Sequence, residues 1–263
     1  MAEYSDYSHE QMFELLETLH DKYNCEEFID SDPISIPHSF ASDNDKEVAG
    51  FLAATIAWGN RKAILKGARK MMELMDNAPY DFVLNATEAD LNPLRSYVYR
   101  TFNGNDFVDF ICALQRICRT YGTIGTLFEQ SYLQHKDMAA VLSEVRREFF
   151  AVDHSEHSTK HFSSIDKGAA CKRLNMYLRW FVRRDDRGVD FGHWTKIPMS
   201  ALYIPLDLHT GRLGRAFGLL ERKQNDWKAV EELTASLREL SKDDPTRYDY
   251  SLFGAGVTKL YDL

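Results

Sequence analysis

The chain has 263 residues, 44% of them hydrophobic and 27% charged, which is enough apolar material for a substantial core and excludes a disordered chain. Its formal net charge of −8 opposes nonspecific attraction to nucleic acid, because a global negative field repels phosphate. The four cysteines, Cys25, Cys112, Cys118 and Cys171, form no C-x-x-C pair, so neither a zinc site nor a disulfide framework is suggested and a reducing cytoplasmic setting fits.

The opening stretch from Met1 to Glu10 is polar and acidic without an apolar run for export, and no later run is long enough to span a membrane. Ser8 suits the cap of a first helix carrying Met12, Leu15, Leu16 and Leu19 at helical spacing, which Pro33 and Pro37 then break. Asp45 to Trp58 is densely apolar and reads as a helix buried on most sides. Gly59 ends it, and Asn60 restarts a helix through Met75 on the stripe Ile64, Leu65, Ala68, Met71, Met72 and Met75. Tyr80 to Phe102 is mixed, with a turn at Asn92-Pro93. Helices are expected over 106–121, 124–134 and 138–149. No strand is expected, since alternating runs are short and apolar segments carry the helical period. The fold class is therefore all-α.

Three histidines and two acids crowd the stretch from Asp153 to His161, so a metal-dependent hydrolase built on His154, His157 and His161 is one alternative. The other reading is a solvated loop, because the run has no apolar residues to hold ligands rigid. From Lys160 to Arg187 the chain carries eight basic residues against three acidic ones, a positive stripe on an acidic protein. Projected at about 100° per residue, Cys171, Leu174, Leu178, Phe181 and Val182 share one side, while Lys172, Arg179 and Arg183 share a neighbouring face suited to an anion. Arg173, Trp180 and Arg184 lie further round, where cations beside a ring suit a phosphate backbone and a base.

Asp190 and His193 fall in a connector running to Pro198. Asp207 then stands before an amphipathic run, as an N-cap does, and Pro205 disfavours helical geometry at the residue before it, so the carboxylate is well fixed. Arg212 and Arg215 share a face of the following helix. Trp227 to Leu240 and Arg247 to Val257 close the chain as helices, with Asp243, Asp244 and Pro245 opening the last.

The run Pro205-Leu206-Asp207-Leu208-His209-Thr210, followed by Gly211-Arg212-Leu213 and Phe217-Gly218-Leu219, resembles the aspartate segment of the helix-hairpin-helix DNA glycosylases. The chain lacks their common Leu-Pro-Gly-x-Gly-x-Lys hairpin and is closer to the archaeal 8-oxoguanine glycosylases, whose hairpin is also atypical. As a whole it also resembles an uncharacterised bacterial family. The resemblance implies a two-lobed helical fold, with one lobe over 44–200 carrying the hairpin-like element and the other assembled from 1–43 and 201–263. It implies a monomer that excises a damaged base, an oxidised purine, from double-stranded DNA, with or without strand cleavage.

By the same resemblance Asp207 is the catalytic carboxylate and Lys172 the amine. Both are expected to face one cleft between the lobes, close enough to interact directly or through one water, with Lys172, Arg179, Arg212 and Arg215 giving a positive rim. Substrate contacts fall on Arg173, Arg179, Trp180, Arg183, His209, Arg212 and Arg215, and on Trp58 and Asn60, whose turn resembles a polar turn that faces DNA in the glycosylases. No metal or cofactor is implied: no cysteine follows Cys171, which excludes the C-terminal iron-sulfur cluster of some members. The remaining alternative is a non-catalytic nucleic-acid-binding protein that keeps this fold.

Overall fold

Capping chemistry sets the helix starts. Ser8 Oγ accepts from Gln11 N, and the Gln11 side chain accepts from Ser8 N, opening the His9–Tyr23 helix. Asn60 accepts from Ala63 N to open Arg61–Leu74, and Asp137 accepts from Ala139 N and Ala140 N to open Met138–Phe149. These contacts belong to a computed structural model that describes residues 7–258. Residues 1–6 of the polar opening stretch lie outside that range.

The fold is all-α, with one correction to the expectation. Val98–Tyr99 and Phe102–Asn103 pair as two-residue antiparallel strands. Strands this short leave no alternating pattern to read, and the turn between them holds Arg100 at φ +53°.

Two compact units divide the chain, one formed by 29–164 and one by the residues up to Phe28 together with those from Ile165 onward. The borders fall at 28/29 and 164/165, where the expectation set them at 43/44 and 200/201. In the central unit, Asp43–Thr55 buries Val48, Phe51 and Leu52, and Phe51 meets Phe110, Phe149 and Phe162 at ring-centroid separations of 5.4–6.2 Å. The buried Glu47 of that helix accepts from Gly125 N at 2.9 Å, using a side chain from one helix to satisfy the first turn of Ile124–His135. Gly104 opens Gly104–Tyr121 under the Arg95 carbonyl, and a Cβ there would meet that backbone at 2.2 Å.

In the terminal unit, Lys172–Val182 is buried at every position except its first two residues. Leu174, Tyr177, Leu178, Phe181 and Val182 pack inward, and Phe181 stacks on Trp194 at 5.1 Å. His9–Tyr23 and Leu208–Ala216 both pack on Asp249–Thr258. Gly254 allows the first of these contacts, because a Cβ would stand 2.3 Å from the Tyr23 ring. No helix among the described residues is long and apolar enough to cross a membrane.

Candidate active site

The aspartate helix begins as its sequence reads. Asp207 has extended backbone, and its Oδ1 accepts from His209 N and Thr210 N, both at 2.9 Å. That oxygen caps the helix, and the other faces an amine: Oδ2 lies 4.0 Å from Lys172 Nζ. The cap and the charged contact use different oxygens, so one carboxylate serves both. Lys172 is the first residue of its helix, entered through Cys171 at φ +50° and Gly168 at φ +74°. Its Nζ also lies 3.6 Å from Met176 Sδ and 5.8 Å from the Phe253 ring centroid. The side chains of Lys172 and Asp207 are 25% and 22% exposed, so the pair is reachable from solvent yet partly shielded.

The aspartate's backbone is anchored as well. Asn225 Nδ2 donates to Asp207 O at 3.0 Å, and Arg215 donates to Asn225 Oδ1 and to the Arg222 and Lys223 carbonyls. Arg215, expected on a substrate-facing rim, is thus used to pin the 222–225 segment across the helix. Gly211 sits under that segment, where a Cβ would press on Asn225 Oδ1 at 2.8 Å.

Three further expectations for the basic helix are corrected. Arg179 is 3% exposed and pairs with Asp190 at 3.3 Å and with Asp249, while Arg183 is 1% exposed and pairs with Asp185, Asp190 and Asp244 at 2.8–3.1 Å. The expected anion-facing pair is therefore spent on internal acids. Burial alone would weaken the Arg183 charge, but Asp190, Asp244 and Asp185 overcome it and raise the pKa. Trp180 is wholly buried and offers no face to a base. The bridges to Asp244 and Asp249 also tie the basic helix to the C-terminal segment, and Lys172 and Asp207 fall in the same unit.

Of the other predicted contacts, Arg173 is half-buried, and His209 and Arg212 are exposed on the aspartate helix. Trp58 and Asn60 belong to the central unit. Asn60 is occupied as an N-cap, and Trp58 stacks at 5.7 Å on His161. The metal trio of His154, His157 and His161 does not converge: His154 Nδ1 is 2.7 Å from the Val152 carbonyl and its ring packs on Phe150.

Asp249 was not among the predicted site residues. It is buried at the start of Asp249–Thr258, and burial raises its pKa to about 6, opposed by Arg179 and Lys172 and reinforced by Asp207. A second carboxyl thus shares the electrostatic environment of the lysine and the aspartate. Nothing in the local sequence marked it, since the arginine and the lysine that face it come from a helix some seventy residues earlier.

The fold and site together define an all-helical protein with an amine and a carboxylate opposed at adjoining helix starts. The chain belongs to the DUF2400 family, described as a protein of unknown function, whose model matches residues 32–258. No curated protein and no solved structure matches it.

Proposed function

We propose that this protein is a cytoplasmic base-excision DNA glycosylase with an associated lyase step, acting as a monomer on an oxidised purine in duplex DNA. The observation that carries the reading is the 4.0 Å approach of Lys172 Nζ to Asp207 Oδ2, made while Oδ1 holds the helix cap. Breaking a glycosidic bond builds positive charge on the sugar, and a fixed carboxylate beside that charge stabilises it. Once the Lys172 ammonium has released a proton to solvent, its amine attacks the sugar carbon as the carbon–base bond breaks, and the base leaves with the electron pair. The substituted amine loses one proton, its lone pair then opens the sugar ring whose oxygen takes up a proton, and the resulting protonated Schiff base allows the elimination that cuts the strand. Reaching the base requires that the nucleotide leave the stack, which costs least at a damaged pair.

The test is incubation with duplexes bearing different damaged bases, scored for excision and for protein trapped on DNA by borohydride. Lys172→Gln is expected to abolish trapping with the fold intact. Asp207→Asn is expected to keep the cap and lose excision by about a hundredfold or more, because the amide retains the shape without the charge. Trapping that persists in Lys172→Gln, or excision untouched in Asp207→Asn, overturns the assignment.

A further inference from the structure

In the central unit a second cluster has no part in the chemistry above. Asp106, His157 and His161 each aim one ligand atom into a common space, and those atoms all lie within 4.8 Å of one another. His157 Nδ1 stands 2.8 Å from Asp106 Oδ1, and His161 Nε2 stands 3.3 Å from Asp106 Oδ2. Donors bound at zinc-like distances around one tetrahedral ion are about 3.3 Å apart, so small adjustments of the side chains would centre the three on a single cation. The spacing His-x-x-x-His, within the short 3-10 helix Glu156–His161, is one that zinc sites use.

We propose that Asp106, His157 and His161 form a binding site for one divalent transition-metal ion of the zinc class. Two imidazoles and one carboxylate favour zinc, cobalt or ferrous iron over magnesium or calcium, which prefer oxygen donors. The surroundings hold the ligands as a metal site requires. Asp106 is fully buried, Asn103 N donates to its Oδ2 at 2.8 Å, and Ser158 Oγ lies 2.8 Å from its Oδ1 and 2.6 Å from Asp109 Oδ2. His161 is clamped between the stacked face of Trp58 and the edge of Phe102, at centroid distances of 5.7 and 5.0 Å.

His157 is the exposed member, its side chain 39% accessible, so an ion would enter from that side and keep a position open to water. The bound ion would clip the 156–161 turn to the start of Gly104–Tyr121, which come from distant parts of the sequence. The proposal is independent of the Lys172 and Asp207 reading, because no residue is shared.

The experiment is titration of the chelator-stripped full chain with Zn²⁺ by calorimetry and with Co²⁺ by visible absorption. One equivalent of each is expected to bind. His157→Ala, at the most accessible of the three positions and with folding checked by circular dichroism, is expected to weaken binding at least tenfold, Asp106→Asn likewise, and His154→Ala to leave it unchanged. Absence of stoichiometric binding, or binding indifferent to His157→Ala, overturns the proposal.

Discussion

The two ends of Lys172–Val182 and its C-cap carry basic side chains with opposite fates. At the first turn Lys172 stays partly exposed, with Asp207 at 4.0 Å and a thioether and an aromatic ring beside it. Two and three turns later, Arg179 and Arg183 lie almost fully buried and are held by Asp185, Asp190, Asp244 and Asp249. Charge counted along a segment therefore says little about charge presented to a ligand. Asp185 and Asp190 follow the helix within a few residues, while Asp244 and Asp249 arrive from the C-terminal part of the chain.

The largest expected effect separates the ends by stability. Arg183→Ala removes a buried guanidinium that Asp185, Asp190 and Asp244 share, leaving the buried Asp190 with Arg179 alone, and is expected to cost about 3–5 kcal/mol in urea denaturation. Lys172→Gln is expected to stay within about 1 kcal/mol, since the pair it breaks is long and partly exposed. Equal losses at both ends would remove the distinction between a structural and a functional cation.

A smaller effect should appear as a pH dependence at the buried end. His20 lies 3.4 Å from an Arg183 nitrogen, and burial, with Arg247, Arg183 and Arg187 nearby, lowers its pKa from 6.5 to about 4. The folded ring stays neutral over that window while the unfolded one takes a proton, so its contribution is complete above pH 6.5 and is lost as pH falls toward 4. The displacement corresponds to about 3 kcal/mol, and His20→Gln is expected to remove that much acid sensitivity from stability measured between pH 7 and 4. An unchanged pH profile in His20→Gln would mean that His20 titrates normally.

What could be read in advance followed from local chemistry. The caps at Ser8, Asn60 and Asp207 need only a side chain and the next three amides, so they are legible within four residues. The approach of Lys172 to Asp207 was legible through the family resemblance, carried by a short run around the aspartate. The fates of Arg179 and Arg183 were not, because helical projection assigns a face to a side chain but cannot say what lies against it. Asp190 and Asp244 stood in the sequence as connector and helix-opening residues, and nothing local marks them as partners of buried cations. The Asp106 cluster was half legible: the histidine run was visible, but its carboxylate lies some fifty residues earlier as a helix-capping residue, and His154 turned out to serve the loop itself.

The smallest expected effect uses the adjoining residues Arg183 and Arg184, one 1% exposed and the other exposed. If the proposed DNA complex forms, a phosphate-contacting cation displaces counterions, and its removal lowers the slope of log affinity against log salt by about one. Arg184→Ala and Arg212→Ala are expected to act this way with stability within about 0.5 kcal/mol, as for surface substitutions elsewhere. Arg183→Met, studied at a temperature where it stays folded, is expected to leave the slope where it was, because its guanidinium is already neutralised by Asp185, Asp190 and Asp244. A slope that falls in Arg183→Met and not in Arg184→Ala would require the ion network to open on DNA, and the buried end of the helix would then belong to the binding surface.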